Sequence, residues 1–97
     1  MKVYISATLR GFFGRNERIE IEGETIRTLL AGLTDEYPDA KEALYDETGE
    51  LRDFIQIYVN EENFTDKEKW DNSLHADDEV LLLPAIAGGA TVVGYFW

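Results

Sequence analysis

The side chains that most often carry covalent or metal chemistry are nearly absent from this sequence. It contains no cysteine and a single histidine, His75. It therefore offers no thiolate nucleophile, no disulfide framework and no cluster of nitrogen and sulfur ligands for a metal. We predict that His75 is a turn residue, and we expect neither a bound metal nor an intrinsic cofactor.

The densest group of carboxylates is Asp77, Asp78 and Glu79. Clustered acids can act as acid–base groups where their surroundings shift their pKa values. Three adjacent carboxylates at a polar turn, however, usually face water. An enzyme that uses these acids is thus a minor alternative, and we expect a protein that is not an enzyme.

Two consecutive glycines, Gly88 and Gly89, stand out by their position. They follow an apolar segment at 80–83, then Pro84, which should end sheet pairing, and three small or aliphatic residues. We expect residues 85–89 to leave the globule as an extended arm, whose glycines lack Cβ atoms and can enter a narrow cleft. The alternative is a flexible turn into a further strand.

The charge of the chain excludes one class of partner. It carries 20 acidic against 9 basic residues, a net charge of -11, and a phosphate backbone would be repelled by it. The acids concentrate at 35–53 and 61–79, as expected of solvated faces, although they could also steer a basic partner. No apolar run approaches the roughly 18 residues that span a bilayer. We expect a cytoplasmic protein that binds neither nucleic acid nor membrane.

The chain opens with the pattern of a β-hairpin. Apolar residues alternate with polar ones on both sides of a turn at 11–16, as in two strands that each bury one face. These apolar residues are Val3, Ile5, Ala7, Leu9, Ile19 and Ile21.

A helix follows the hairpin. Thr25 is a plausible N-cap, and the helix should stop near Tyr37, before Pro38. A second short helix is predicted over 39–45. The apolar stripe of the first helix consists of Ile26, Leu29, Leu30 and Leu33.

The rest of the chain predicts two more strands. The pattern of residues 54–59 predicts a buried strand, followed by a turn at 60–63. Trp70 and Leu74 should cover the edge of the core. The apolar strand at 80–83 suits the centre of a sheet. A chain of 97 residues makes one domain. The fold class is α+β, and apolar first and last strands lying side by side would give the β-grasp arrangement.

Three segments, taken in order, carry a family resemblance. They are Thr25-Ile26-Arg27-Thr28-Leu29-Leu30 running to Tyr37-Pro38, then Gly49-Glu50-Leu51-Arg52 with the strand and turn Phe54 to Glu62, and finally Leu74 with Asp77 to Gly89. Their order and spacing resemble the MoaD/ThiS family of ubiquitin-like sulfur carriers, which includes the small subunit of molybdopterin synthase. The third segment is the most specific.

The resemblance implies a mixed β-grasp sheet packed on one main helix, and a function as a carrier. In the family, an adenylyltransferase related to the ubiquitin-activating enzymes uses ATP to activate the terminal glycine. A sulfur donor or sulfurtransferase then forms a thiocarboxylate, which an acceptor such as the molybdopterin-synthase large subunit consumes. By this analogy Gly89 is the acceptor and Gly88 its neighbour in the cleft. The partner-docking residues would be Leu83, Pro84, Ala85, Ile86 and Ala87, unless Leu83 is simply core and the others a linker.

The chain departs from the family pattern after Gly89. Family members normally end there, whereas this chain continues through residues 90–97, so we divide it into a domain at 1–89 and an apolar extension. An amide cannot be adenylated, and the resemblance therefore requires cleavage between Gly89 and Ala90, for which a JAMM-type zinc peptidase is the expected enzyme. The extension is uncharged and rich in β-branched and aromatic residues, and we expect it to pack, for example as a strand added to a sheet edge.

The sequence leaves other functions open. Gly89 could be joined to lysines of other proteins, as ubiquitin is, or the chain could remain uncut as a β-grasp interaction module. Carriers of this type serve molybdenum cofactor, thiamine, cysteine and transfer-RNA thiolation pathways, and the sequence does not separate them. Arg10 could bind an acidic group of a partner, although a simple pair with a neighbouring Glu is the favoured interpretation.

Overall fold

The structure is a computed structural model, and it describes residues 1–84. A 3-10 turn at Arg10–Phe12 follows the first strand, and another at Lys67–Lys69 precedes the last. The strands and helices of the described part are β1 (Lys2–Ile5), β2 (Arg18–Glu20), α1 (Ile26–Glu36), α2 (Ala40–Leu44), β3 (Ile55–Val59), β4 (Glu62–Asn63) and β5 (Glu79–Pro84).

The five strands form one mixed sheet in the order β2-β1-β5-β3-β4. The first and last strands, β1 and β5, lie side by side and run parallel, while the other neighbours are antiparallel. Side chains of β1, β3 and β5 share one hydrophobic core with Leu29, Leu30 and Leu33 of α1. This is the β-grasp fold, and the predicted α+β class with a central last strand is confirmed.

The opening hairpin is shorter than the sequence pattern predicted. β1 ends at Ile5, and Ser6, expected to face outward, is 2% exposed and donates its N–H to the carbonyl of Leu82 at 3.0 Å. The chain bends here, so Ala7 is exposed rather than buried, and Leu9 reaches the core from outside the strand. The sequence analysis also missed Phe13, which lies in the predicted turn and is fully buried.

Both predicted helices are confirmed. Thr25 caps α1 by accepting the N–H of Thr28, whose hydroxyl accepts the N–H of Thr25 in return, and this reciprocal pair satisfies donors that the first turn would leave unpaired. The helix ends at Glu36, before Tyr37 and Pro38. No helix within residues 1–84 is long and apolar enough to cross a bilayer.

The remaining core predictions hold at Trp70 and Leu74, but Phe54 and Tyr58 of the predicted buried strand are not buried. Trp70 is 3% exposed and donates its indole N–H to the carbonyl of Phe64 at 3.0 Å, while Leu74 packs against the core from its edge. Phe54 was predicted in a buried strand, but it precedes β3 and is 43% exposed. β3 buries alternate residues, Ile55, Ile57 and Val59, and Phe54 falls outside this set.

Candidate functional site

The described part of the chain ends at Pro84, at the carboxyl end of the central strand β5. Pro84 pairs with Ile55 at the start of β3. Since β1 and β5 are parallel, the bend after Ile5 lies at this same end. The downstream residues assigned to docking, loading and cleavage, which are Ala85, Ile86, Ala87, Gly88, Gly89 and Ala90, lie outside the described residues.

We call the face of the sheet that is turned away from α1 the open face. Cross-strand register aligns Tyr4 of β1 with Leu81 of β5, and Leu81 with Tyr58 of β3. Because side chains alternate between the two faces of a strand, these three point away from the core face that holds Val3 and Val80. All three are half-buried.

The centre of the open face is apolar and its borders are polar. A depression of about 670 Å³ lies here, lined by the Tyr4–Leu81–Tyr58 row. The Tyr4 hydroxyl donates to Glu79 Oε2 at 3.1 Å, and the Tyr58 hydroxyl donates to Gln56 Oε1 at 3.2 Å. The two rings are therefore held in place at their polar ends and are half-buried, and aromatic residues of this kind are common in protein-binding surfaces.

Two predicted docking residues fall within the described part of the chain. Leu83 pairs with Gln56 and shares the facing of Leu81, so its register assigns it to the open face, although it is only 3% exposed. Pro84 faces the other way and is buried. The structure thus brings Leu83 together with the open-face row, whereas Pro84 lies on the opposite face of the strand.

The amino-terminal part of the chain is positively charged, in contrast to the whole protein. Residues 1–18 contain four Lys or Arg side chains and one Glu, and Arg18 pairs with Tyr4 at the border of the open face. Arg10 donates from Nε to the carbonyl of Ile5 at 2.9 Å and lies 4.0 Å from Glu17. The predicted simple pair of Arg10 with a neighbouring Glu is confirmed, and the main-chain bond holds its guanidinium beside the bend.

Two of the carboxylates at 77–79, Asp78 and Glu79, bind neighbouring groups of the fold. Asp78 accepts the backbone N–H of His75 at 2.8 Å and the side-chain amide of Asn60 at 2.7 Å, and these bonds hold the pKa of its carboxyl below the ordinary value. His75 is a turn residue, as predicted. Among residues 1–84, no group of three or more acids and His75 is placed to hold a metal ion.

Sequence reasoning missed the open-face row. The sequence pattern placed Tyr4 on the polar side of β1 and Tyr58 in a fully buried strand. Neither tyrosine was therefore recognised as part of an apolar row on the outward face. Only the register between distant strands shows that both rings flank Leu81. Their one sequence signal is an aromatic residue at an outward position, which is a weak indicator of a binding surface.

Known proteins match almost the whole chain. The ThiS family matches residues 3–89. The sulfur carrier protein CysO of Mycobacterium tuberculosis is 32% identical over 89 residues, which cover 90% of this chain and 96% of the relative. A putative sulfur carrier protein of Archaeoglobus fulgidus is 34% identical over 73 residues, covering 73% of this chain and 83% of the relative.

Solved structures match as extensively. The CysO chain in the crystal structure of the Amycolatopsis orientalis BexX/CysO complex has a TM-score of 0.76 and 28% identity, covering 91% of this chain and 98% of that one. The small archaeal modifier protein 1 of Methanosarcina acetivorans has a TM-score of 0.76 and 31% identity, covering 91% of this chain and 94% of that one. Sequence and structure therefore agree on one group of relatives.

Proposed function

The chain belongs to the ThiS family of ubiquitin-like sulfur carriers, and we propose that it carries sulfur on the carboxyl group of Gly89 after residues 90–97 have been removed. Like its relatives it is a carrier and not an enzyme. The observation that carries the proposal is the family match, which ends at Gly89, five residues after Pro84, the last described residue of the central strand. A short arm with a glycine end is what a partner's active site can admit.

Cleavage comes first in the proposed sequence. Water adds across the Gly89–Ala90 amide, which gives a free carboxylate on Gly89 and a free amine on Ala90. A zinc peptidase of the JAMM type would supply the activated water. This chain contributes only the substrate, an arm whose two glycines have no side chains to obstruct a narrow cleft.

Activation and loading follow. The Gly89 carboxylate attacks the α-phosphorus of ATP in the active site of an adenylyltransferase, and pyrophosphate leaves. The acyl-adenylate is a far better electrophile than the carboxylate, so sulfide delivered by a donor protein can displace AMP and leave a thiocarboxylate. No side chain of this protein needs to act as a nucleophile, which is consistent with its lack of cysteine. The proposal includes a cytoplasmic location, where ATP is available.

The open face and the arm together form the proposed docking surface for the activating enzyme. Leu83 connects the Tyr4–Leu81–Tyr58 row to the arm residues Ala85 to Ala87, so that one partner could contact the face and enclose the arm. Arg18 and the other cations of residues 1–18 would favour an acidic border on that partner. The BexX/CysO complex supports the idea that this type of protein works through an enzyme partner.

A second function is favoured by one comparison. The small archaeal modifier protein 1 carries the word modifier in its name, and the same adenylated Gly89 could acylate a lysine instead of sulfide. Both routes share cleavage and activation and differ only in the final nucleophile. Isopeptide-linked conjugates ending in Gly88-Gly89 would identify the modifier, and a thiocarboxylate would identify the carrier.

Activation can be tested with purified components. We expect the chain ending at Gly89 to support ATP–pyrophosphate exchange with the adenylyltransferase of its own organism, and the chain through Trp97 to support none, because it has no carboxylate at Gly89. Gly88→Val should reduce exchange by at least about 100-fold, since a side chain would obstruct the cleft.

Gly11→Val is the matched control. A Cβ at Gly11 meets no atom within 4 Å, so this variant should exchange normally. Equal exchange by the chains with and without residues 90–97, or full activity of Gly88→Val, would contradict the proposal.

A further inference from the structure

A second depression lies outside the open face, and we call it the α2 depression. It has a volume of about 750 Å³. Phe12 of the first 3-10 turn lines it together with residues of α2 and of the turn at 46–52, among them Tyr45 and Glu47. None of its lining residues also lines the depression on the open face. The two depressions are therefore separate surfaces.

The surface of the α2 depression is mainly apolar, although most of its residues are charged. The rings of Phe12 and Tyr45 contribute to it, and so do the methylene stems of Lys41 and Arg52, because long charged side chains lie along apolar surface while their charged ends stay in water. Phe12 is 40% exposed. A single exposed aromatic side chain is common, but one that borders an apolar depression is typical of the anchors that protein partners bury.

The walls of the α2 depression are fixed by hydrogen bonds. Asp46 Oδ1 accepts the backbone N–H of Thr48 at 2.9 Å and that of Glu50 at 3.1 Å, which closes the turn. Arg52 donates from Nε to the carbonyl of Glu42 at 2.9 Å, which joins this turn to α2. The depression therefore exists before a partner arrives, and binding there requires little ordering of the chain.

Carboxylates are in excess around this depression. Residues 35–53 contain eight Asp or Glu and two Lys or Arg. Glu42 and Glu47 line the depression, and their carboxylates form no ion pair with any other residue of the described part, 1–84. Of the two cations, Lys41 and Arg52, the second is already bonded to a carbonyl of α2. An occupant should therefore carry positive charge around an apolar centre.

The α2 depression lies towards the end of the sheet at which the described chain stops. Phe12 lies on the connection that leaves β1 and Arg52 on the one that enters β3, at the end where β5 reaches Pro84. Ile55 pairs with Pro84 and is three residues from Arg52. The Cα atoms of Arg52 and Pro84 are thus at most about 16 Å apart, from roughly 3.6 Å per residue and about 5 Å between strands. A protein that binds the chain beyond Pro84 can reach this depression as well.

We propose that the α2 depression binds a basic segment of a partner protein, which packs an apolar side chain against Phe12 and Tyr45 and places its cations beside Glu42 and Glu47. The apolar contact provides most of the affinity, and the charges orient the segment and speed its encounter. A partner that acts on Gly89 is expected to supply the segment. This identification alone rests on the proposed function, and the binding itself stands without it.

The test is an NMR titration of the ¹⁵N-labelled chain through Trp97 with three peptides whose ends are blocked. The first, Lys-Arg-Leu-Trp-Arg-Lys, is basic and apolar; the second has Ser-Ser in place of Leu-Trp; the third has Glu in place of every Lys and Arg. The salt concentration is about 0.15 M, which screens charges more than about 8 Å apart. The first peptide should shift the amide signals of Phe12, Tyr45 and Gly49 to saturation, and should bind at least about fivefold more tightly than either of the others.

Three results would overturn the proposal. Equal binding of the first and second peptides would show that attraction between charges is sufficient. Shifts centred on Tyr58 and Leu81 would place the peptide on the open face instead. Shifts of Phe12 and Tyr45 that depend on protein concentration without any peptide would indicate a second copy of the chain as the occupant.

Variants make the test specific. Phe12→Ser should weaken binding of the first peptide at least about fivefold, whereas Phe54→Ser is the matched control, since Phe54 is 43% exposed and does not line the depression. Glu47→Lys should also weaken binding, and Glu20→Lys makes the same charge change at an exposed position of β2. Equal effects within either pair would contradict the proposal. The indole signal of the buried Trp70 reports in each variant that the fold is intact.

The two proposals can fail separately. If the basic apolar peptide binds at the α2 depression but the chain ending at Gly89 supports no ATP–pyrophosphate exchange, the docking surface stands and the carrier chemistry fails. If exchange is found and the peptide does not bind there, the carrier chemistry stands and the docking surface is rejected.

Discussion

Asp78 shows how a residue that suggests chemistry in the sequence can serve structure instead. Its carboxylate joins the turn before β5 to the turn after β3, through His75 and Asn60. The type and number of adjacent acids were visible in the sequence, but their partners come from another turn, 18 positions away in the chain for Asn60. Sequence correctly indicated a turn, and only the fold could show what the turn binds.

This geometry predicts a pH dependence of stability. Because the folded-state pKa of Asp78 lies below the ordinary value of 3.8, its bonds stabilise the protein above that pH and are lost as pH falls through the lower folded-state pKa. Asp78→Asn should therefore be less stable than the wild type at pH 6, and the difference should shrink below pH 3.8. Urea unfolding between pH 2.5 and 6 measures it.

Asp77→Asn is the control for the loss of one negative charge. It removes a neighbouring exposed carboxylate and should show no comparable difference at pH 6. A difference for Asp78→Asn that is constant across this range would show that the carboxylate's charge is not responsible.

At the scale of elements, local signals determined what the sequence could predict. The limits of α1 follow from the Thr25 cap and Pro38, both of which act within a few residues. The end of β1 does not follow from local signals. The apolar–polar alternation continues to Leu9, whereas the chain bends at Ser6, whose N–H bonds to the carbonyl of Leu82 in β5. A bend made by a partner 76 positions away leaves no local pattern.

The turn between β3 and β4 gives a prediction at this scale. Asn60 and Glu61 have φ angles of 48° and 74°, as in a two-residue turn that favours Asn-Gly. Glu61 is strained there, because side chains disfavour positive φ. Glu61→Gly should raise the free energy of unfolding by about 0.5–1 kcal/mol, measured by urea denaturation at neutral pH.

Glu61→Ala separates backbone strain from charge. It removes the carboxylate but retains the Cβ, so it should stay close to the wild type. If Glu61→Ala stabilises as much as Glu61→Gly, relief of charge repulsion, and not the turn conformation, is the cause.

At the scale of the molecule, the order of apolar segments was enough to predict the β-grasp class, because the uninterrupted apolar run of the last strand suits the centre of the sheet, beside the first strand. The open face was not predictable in this way. It depends on the joint register of β1, β5 and β3, which pairs residues from opposite ends of the chain. The resemblance identified the carrier family, and the structure added the surface next to its arm.

The charge distribution also belongs to this scale. The chain has a net charge of -11, yet residues 1–18 are positive and border the open face through Arg18. Carboxylates also border this surface, among them Glu61 and Glu79, so an approaching partner meets charges of both signs. Neither property is visible in a single motif.

The central claim concerns the state of Gly89 in the cell, and the intact mass of the protein purified from its own organism tests it most directly. The account predicts a species that ends at Gly89, together with a form in which one carboxyl oxygen is replaced by sulfur. A protein that always continues past Gly89, with no sulfur-containing form even when cells must make sulfur compounds, would contradict it.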